Sequence, residues 1–298
     1  MPMGNVDGMT SNATLPQTPR VVIVGHVCID ENTSGTESVT TAGSSAMFIQ
    51  QQLAQSSALD MAILAPYSAD FAEFARGVPL LNAAQPGRTL RYRNFLDGDT
   101  RRQECVGADN AEPVPLDARA IAELQQADIL IICPLLANFS PEYVAEVVGH
   151  APAGAVKMLL VQGYLRTVCD DFRIVQRDFL EYNSVLPLFD LAVFSNEDIN
   201  NALELAASWS EQFTDAQIVV TQNRHGATYF SNGVGMPVAA APIPTSEPIN
   251  TIGAGDVFSA ALALAYFSDR SIHSAVQHAH AAAGDFLLHS HQQAAAAA

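Results

Sequence analysis

Short, uninterrupted apolar segments recur along the chain, and stretches with helical periodicity separate them. Such runs are typical of strands buried on both faces of a parallel sheet. The pattern predicts strands that begin near residue 21 and cover 61–65, 129–133, 157–161, 191–194 and 218–221, with helices at 44–54, 71–76, 118–126, 141–148 and after 198. The alternation of strands with helices indicates an α/β domain.

One segment instead alternates polar and apolar residues with a period of two. Its two arms cover 89–95 and 100–106, and Asp97-Gly98-Asp99 lies between them. This pattern predicts an antiparallel hairpin. The hairpin is the most arginine-dense part of the chain. A solvated edge hairpin is slightly favoured over a direct ligand contact by any one of these arginines.

A glycine-rich turn at 253–255 leads into an alanine-rich apolar segment, which predicts a buried helix ending near Ser268. The first amide groups of such a helix, together with its dipole, form an anion site. Asp256 stands beside this site, where a carboxylate repels bound phosphate. Its presence is explained if Asp256 deprotonates a hydroxyl that attacks a phosphoryl group held by the amides. The alternative is an ordinary helix cap whose glycines allow close packing.

Charge narrows the choice of ligand. The 298 residues carry a net charge of −17, which argues against nucleic acid or an anionic membrane surface as a partner. Lys157 is the only lysine, so the chain has no Walker-type phosphate loop. Any bound phosphate must therefore be held by backbone amides and arginines.

Cysteine usage and the chain ends bear on the compartment. The four cysteines form no CxxC pair, which favours a reducing cytoplasm over a zinc site or disulfides. No apolar run is long enough to span a membrane, and the start of the chain has no secretory pattern. Residues 1–19 and 292–298 are predicted to be disordered tails outside the domain.

Polar groups follow three of the predicted strands, at the edge where open parallel sheets bind ligands. Asp30 follows the first strand and is equally well explained as a turn residue. Arg166 ends the segment 162–166 behind another strand. The acidic segment 195–198 precedes a predicted helix, where the helix dipole and a divalent-cation site explain it about equally well.

The stretch 250–258 reads Asn-Thr-Ile-Gly-Ala-Gly-Asp-Val-Phe. It resembles the Asp-Thr-x-Gly-Ala-Gly-Asp-x-Phe signature of the ribokinase/PfkB family of sugar and nucleoside kinases, and only its first residue, Asn250, differs. The similarity extends over about residues 20–290. It implies a ribokinase-like three-layer α/β/α domain with a central, mostly parallel sheet and a small β lid.

The resemblance also assigns roles on the acceptor side of the site. It implies Asp256 as the base and the amides of Gly253, Ala254 and Gly255 as the groups that hold the transferred phosphoryl. Within a domain that spans 20–291, the lid is expected from about 31–42 and 87–106, with the hairpin supplying most of the cover.

Three further positions are implied to bind the acceptor. Asp30 matches the aspartate that binds substrate hydroxyls, Gly43 matches the second glycine of the family's first signature, and Arg166 lies at a strand end. Ala42 replaces the first glycine of that signature. Met47 stands where the family has an asparagine.

The nucleotide side departs further from the family pattern. Thr221 and Gly226 resemble the two ends of a Thr-x-Gly-x-x-Gly loop, in which Asn223 replaces the middle glycine. Thr251 of the signature completes the implied nucleotide-binding set. So does His280, which takes the place of an asparagine.

The metal-binding motif is also altered. Asn196 and Glu197 resemble the start of the family's Asn-x-x-Glu motif, but its fourth position is Ile199, so Glu197 or Asp198 must substitute. The implied cofactors are ATP and Mg²⁺. Activation by a monovalent cation is left open by Asn250.

The leading hypothesis is ATP-dependent phosphorylation of a hydroxyl on a small polyol, sugar or nucleoside. The segment 162–166 and the short lid are similar to the branch that contains myo-inositol kinases. The alternative is a catalytically inactive, small-molecule-binding relative of the sugar kinases. A homodimer through the 89–106 hairpin is left open. A nucleotide-dependent oxidoreductase is disfavoured because the first strand lacks the dinucleotide glycine fingerprint.

Overall fold

The computed structural model describes residues 18–54, 60–97, 100–244 and 251–297. In chain order the strands are β1 (Arg20–Gly25), β2 (Cys28–Ser34), β3 (Glu37–Gly43), β4 (Asp60–Leu64), β5 (Arg91–Asp97), β6 (Thr100–Val106), β7 (Ile129–Cys133), β8 (Val156–Leu160), β9 (Arg166–Val168), β10 (Ile174–Gln176), β11 (Leu191–Ser195), β12 (Gln217–Thr221), β13 (Ala227–Ser231) and β14 (Val234–Val238). The α-helices are α1 (Ser45–Ala54), α2 (Ala118–Leu124), α3 (Pro141–His150), α4 (Tyr182–Val185), α5 (Ala202–Gln212), α6 (Ala254–Asp269) and α7 (Ile272–Ala297).

Eight of these strands form one large sheet in the order β14-β13-β12-β11-β8-β7-β1-β4. The six strands from β12 to β4 are parallel, and β13 and β14 add an antiparallel edge. The inner strand β7 is buried along its whole length, as its uninterrupted apolar sequence predicts. The predicted strand positions are confirmed for the central sheet.

Helices cover both faces of this sheet. Alternate residues of β1 separate into two apolar clusters, because successive side chains of a strand point to opposite faces. Val22 and Val24 pack with residues of α2, α3 and α5. Val21 and Ile23 pack with residues of α1, α6 and α7. The fold is therefore the expected three-layer α/β/α arrangement.

A second sheet of four strands, in the order β3-β2-β5-β6, forms the lid. The predicted hairpin is confirmed as β5 and β6, whose residues Arg91 and Val106 pair at its base. The threonine-rich stretch 31–42, from which little cover was expected, contributes β2 and β3 and thus half of the lid strands. Its β-branched residues suit a strand as well as a loop.

Two details of the sequence prediction were wrong, the position of Asp30 and the helix at 71–76. The first strand ends at Gly25, where an added Cβ would lie 2.5 Å from the Cys133 carbonyl oxygen, and the chain leaves the central sheet there. Asp30 consequently lies within β2 and not in a loop after β1. The helix predicted at 71–76 is only a 3₁₀ turn, Ala69–Phe71.

The structure also bears on the predictions for the chain ends and the cysteines. Helix α7 continues to Ala297, beyond the predicted end of the domain at 291, whereas most of the predicted tail 1–19 lies outside the described residues. All four cysteines are free thiols. No helix within the described ranges is both long and apolar enough to cross a bilayer.

A buried histidine joins the lid to the main domain. His26 lies between β1 and β2; its Nδ1 accepts a hydrogen bond from the Leu135 N–H at 3.0 Å, and its Nε2 donates to the Ala111 carbonyl oxygen at 2.9 Å. Ala111 follows the last lid strand, and Leu135 follows β7. Burial lowers the pKa of His26 from 6.5 to about 4, an effect that the bond to Ala111 partly opposes. The neutral ring therefore links the connection between β1 and β2 to the segments that follow β6 and β7.

We predict that His26→Leu lowers the free energy of unfolding by about 1–3 kcal/mol at pH 7, because a buried N–H and a buried carbonyl lose their partner. Urea unfolding measures this change. Since the folded pKa lies below 6.5, the wild-type free energy of unfolding also falls as the pH drops from about 6.5 towards 4. This contribution reaches up to about 3 kcal/mol and is missing from the variant.

The matched control is His278→Leu, because His278 is exposed on α7 and bonds only the Ser274 carbonyl among the described residues. It should change the free energy of unfolding by less than about 0.5 kcal/mol. An unchanged pH dependence in His26→Leu would contradict the assignment of this titration to His26.

Candidate active site

We use the word cleft for the region where Asp30 of the lid comes close enough to the carboxyl edge of the central sheet for its charge to act on Asp256. Helix α6 begins at this edge, with Gly253 as its N-terminal cap at φ +85°. An added Cβ at Gly253 would lie 2.5 Å from Cδ1 of Phe48 in α1. Gly255, by contrast, is exposed, and its added Cβ would meet no atom within 4 Å. The first turn of α6 therefore packs against α1 at Gly253 and is open at Gly255.

Asp256 lies in this first turn, at the floor of the cleft, where its side chain keeps partial solvent exposure among closely packed groups. Burial raises its pKa from 3.8 to about 6. A hydrogen bond with Ser45 and the positive charge of Arg166 lower the pKa, while the charges of Asp198 and Asp30 raise it. Asp256 is thus a carboxylate with the basicity of a histidine.

Asp30 approaches the same floor from the lid. It is buried in β2, next to Gly43 at the end of β3, where an added Cβ would lie 2.2 Å from the Asp30 Cγ. The Cys28 thiol donates to its Oδ1 at 3.3 Å. Burial, followed by the Asp30 charge, raises the pKa of Cys28 well above its usual range, so Cys28 acts as a neutral donor. The predicted pair Asp30 and Gly43 is therefore in direct contact.

Arg166 at the start of β9 and Asp198 in the turn after β11 form an ion pair at the floor of the cleft. The Arg166 guanidinium lies 3.6 Å from Asp198 Oδ1, and the two side chains are 17% and 8% exposed. Gln162 donates to Asp198 Oδ1 at 2.8 Å, and the Ser195 N–H donates to its Oδ2 at 2.8 Å. The positive charge of Arg166 also acts on the hydroxyl of Tyr92, which reaches down from the lid, and opposes the rise in the pKa of Tyr92 that burial causes.

The acidic segment 195–198 is arranged differently from the expectation. Helix α5 begins only at Ala202, so these residues form a turn rather than a helix start. Glu197 is exposed and accepts a hydrogen bond from Asn223 at 2.7 Å, whereas Asp198 is the carboxylate whose charge acts on Asp256. The local pattern could not distinguish the two, because the turn decides which side chain points inward.

The predicted nucleotide-side residues lie along the neighbouring strands. The Asn196 N–H bonds the Thr221 carbonyl at 3.0 Å, which joins the ends of β11 and β12. Gly226 and His280 meet at the Val238 carbonyl oxygen: an added Cβ at Gly226 would lie 2.1 Å from it, and His280 Nε2 lies 3.2 Å from it.

At the start of the signature, Thr251 is exposed just before α6, and its carbonyl accepts from the Ala254 N–H at 3.1 Å. Asn250 lies outside the described residues. Sequence reasoning assigned no role to Ser45, Gln162 or Tyr92. Gln162 had a usable signal, because it begins the segment after β8 that ends at Arg166.

A three-layer α/β/α fold with a small lid at the carboxyl edge of its sheet, and a helix start that carries an aspartate with a raised pKa, is consistent with a small-molecule phosphotransferase. The family model described as pfkB family carbohydrate kinase matches residues 82–295. The chain therefore belongs to the pfkB family of carbohydrate kinases. No curated protein matches the chain in sequence.

Solved kinases share the fold. A pyrophosphate-dependent kinase of the ribokinase family, complexed with a pyrophosphate analog and myo-inositol, has a TM-score of 0.71 at 18% identity over 90% of this chain and 94% of its own. Arabidopsis thaliana ribokinase, complexed with ribose and ATP, has a TM-score of 0.66 at 18% identity over 90% and 92%. Adenosine kinase from Sinorhizobium meliloti has a TM-score of 0.64 at 16% identity over 91% and 94%.

We predict opposite stability effects for two alanine substitutions in the glycine turn. Gly253→Ala should lower the free energy of unfolding by about 1–2 kcal/mol or more, because a left-handed backbone and the Phe48 ring both oppose a Cβ. Gly255→Ala is the matched control and should be neutral or stabilising by up to about 1 kcal/mol, since its Cβ enters open space in a helix. Thermal and urea unfolding measure both, and equal effects would contradict the described turn.

Proposed function

We propose that this kinase transfers the terminal phosphoryl group of ATP to a hydroxyl of a small polyol, sugar or nucleoside bound under the lid. The observation that carries the proposal is the position of Asp256, in the first turn of α6 and with a pKa of about 6. A carboxylate with this pKa is deprotonated at neutral pH and basic enough to accept a proton from a hydroxyl as it attacks.

The residues supply the parts of a phosphoryl transfer. Asp256 accepts the hydroxyl proton while the new O–P bond forms, and the bond from phosphorus to the departing ADP oxygen breaks with its electron pair going to ADP. The amides of Gly253, Ala254 and Gly255 hold the transferred group, because the first amides of a helix have no intrahelical acceptor. Positioning and charge stabilisation provide most of the catalysis in such transfers.

The acceptor is held between the lid and the floor. Asp30 accepts hydrogen bonds from its hydroxyls, and Gly43 lets the backbone lie against Asp30. The positive charge of Arg166 acts on Asp256. We also assign to Arg166 the stabilisation of the negative charge that builds up on the transferred phosphoryl group. Asp198 holds the guanidinium in place.

The described residues could bind a magnesium ion only together with the phosphates of the donor. Among them, no cluster of three or more His, Cys, Asp or Glu side chains could hold a metal. Magnesium commonly needs only one or two carboxylates, with waters and substrate phosphates completing its shell. Asn196, Glu197 and Asp198 carry oxygen atoms in the turn after β11, and of the three Asp198 is the one that points towards the floor. Bound there with the donor, the ion would neutralise phosphate charge.

The proposal is tested with purified protein, magnesium and a panel of acceptors that includes myo-inositol, ribose and adenosine. The donor is ATP in one series and pyrophosphate in another, since a similar fold hosts a pyrophosphate-dependent kinase. We expect ATP-dependent phosphorylation of at least one acceptor. Turnover with pyrophosphate alone would overturn the donor assignment, and no transfer from either donor to any acceptor would overturn the proposal.

Asp256→Asn should lower kcat by about 10²–10⁴-fold with nucleotide binding retained, because the general base is lost and the helix start is not. In the wild type, kcat/KM should rise with unit slope up to about pH 6 and level off above it, as Asp256 deprotonates. The control is Asp215→Asn, because Asp215 is an exposed carboxylate that is not among the candidate site residues. Turnover by Asp256→Asn close to the wild-type rate would rule out the assigned base.

Arg166→Gln should lower kcat by about 10²-fold. It should also move the acid limb of the pH profile above pH 6, because the positive charge that lowers the pKa of Asp256 is removed. The control is Arg173→Gln, an exposed arginine next to β10 that pairs with Asp171. If the pH profile stays in place while activity falls, Arg166 has only a structural role.

A further inference from the structure

The lid carries a row of carboxamides on the face that turns towards the cleft. Gln103 Nε2 donates to Asn94 Oδ1 at 2.9 Å, and Asn94 Nδ2 donates to Asn32 Oδ1 at 2.9 Å. The three residues lie on β6, β5 and β2, and the strand register places Asn94 opposite both of the others. We call this chain of side chains the amide ladder.

The pleat of the lid sheet fixes which way the ladder faces. Asp30 and Asn32 are two residues apart on β2, so their side chains lie on the same face. Tyr92 pairs with Asp30 on that face, and its hydroxyl donates to the Leu135 carbonyl of the main domain at 3.0 Å. The ladder therefore extends from Asp30 along the cleft side of the lid.

The ladder presents a donor beside an acceptor. Asn94 is 1% exposed and sits in the middle, while Asn32 and Gln103 are partly exposed at the two ends. The carboxamide oxygen of Asn32 is taken by Asn94, and its nitrogen makes no hydrogen bond to the residues that the structure describes. The residues that carry this N–H₂ and the Asp30 carboxylate are two positions apart on β2, so their Cα atoms lie about 7 Å apart.

This pair matches neighbouring hydroxyls, which both donate and accept hydrogen bonds. Asp30 can only accept when ionised, and the Asn32 nitrogen can only donate. A nucleobase would require an aromatic or apolar wall, but the aromatic ring that the described lid places beside Asp30 belongs to Tyr92, which is 2% exposed and fully engaged. The charges of Asp30, Asp198 and Asp256, against that of Arg166, disfavour an anionic acceptor.

We propose that the amide ladder selects the acceptor, with Asn32 as a substrate-contacting residue, and that the acceptor is an uncharged polyol or sugar with hydroxyls at Asp30, Asn32 and Asp256. Asn94 and Gln103 act as positioning residues, because they hold the Asn32 carboxamide with its nitrogen available. The inference rests on the proposed kinase function and narrows its acceptor to an uncharged polyhydroxylated molecule, polyol or sugar, without a nucleobase.

The test is acceptor binding and turnover by Asn32→Leu and by the nearly isosteric Asn32→Asp, which retains the volume but loses the donor. With myo-inositol as the probe, we expect either change to weaken binding, measured by calorimetry, and to raise KM by about tenfold, the usual effect of one hydrogen bond to an uncharged group. The kcat should change less than about threefold. Thermal unfolding shows that each variant is folded.

Monodeoxy-inositols provide the sharper readout. Wild-type enzyme should reject the isomer that lacks the hydroxyl at Asn32, whereas the Asn32 variants should bind this isomer and myo-inositol equally well. Thr40→Val is the control, because Thr40 is paired with Glu31 on the opposite face of the same sheet. It should leave inositol affinity unchanged.

The outcomes separate the two proposals. Wild-type affinity for myo-inositol in both folded Asn32 variants, or adenosine as a better acceptor than every polyol and sugar, would overturn the ladder inference and leave the kinase intact. If inositol binds and the Asn32 variants weaken it, but no phosphate is transferred from ATP or pyrophosphate, the proposed function fails and the ladder inference stands.

Discussion

The cleft is organised around the repulsion between carboxylates that lie close together in a partly buried place. Asp30, Asp198 and Asp256 come from the lid, a strand-end turn and a helix start, and each is stabilised by its own neighbour. Arg166 faces Asp198, and Ser45 bonds Asp256. Burial and the remaining repulsion raise the pKa of Asp256, so the constraint that makes the site costly to fold also supplies its basicity. A stronger neutralising partner for Asp256 would stabilise the fold and lower this pKa.

This balance depends on how firmly the lid is joined to the domain. The charge of Asp30 reaches Asp256 because the chain leaves the central sheet at a fixed point between β1 and β2, and His26 holds that point through hydrogen bonds to Ala111 and Leu135. Tyr92 bonds the same loop after β7, from the next strand of the lid. The base of the lid therefore behaves as an extension of the core. Its outer part is different, because β3 is exposed from Glu37 to Thr41.

Local pattern predicted those parts of the molecule that local forces determine. The buried strand at 129–133 was predicted to the residue, and the helix after Asp256 begins at its glycine turn, because continuous apolar runs and glycine turns have few alternatives. The lid was predicted only in half, since threonine-rich strands resemble loops until they pair. The inward position of Asp198 depends on turn geometry, and the contact between Asn32 and Asn94 joins residues 62 positions apart. Neither the position of Asp198 nor the contact between Asn32 and Asn94 produces a periodic pattern in the sequence.

Four positions that differ from the family signatures have a packing or hydrogen-bonding role in the described part of the chain. Met47 is 3% exposed in one apolar cluster and Ile199 is 7% exposed in the other, so both fill space that a polar ligand-binding side chain would leave open. Asn223 keeps the positive φ (+53°) that a glycine adopts readily, and adds a bond to Glu197. His280 packs 5.1 Å from the Phe258 ring. The glycine turn and Asp256 match the family signature, so these departures lie in the positions around the first turn of α6 and not within it. Polar side chains therefore remain on both sides of the cleft, with Arg166 and Asp198 at the floor and the linked carboxamides of Asn32, Asn94 and Gln103 on the lid.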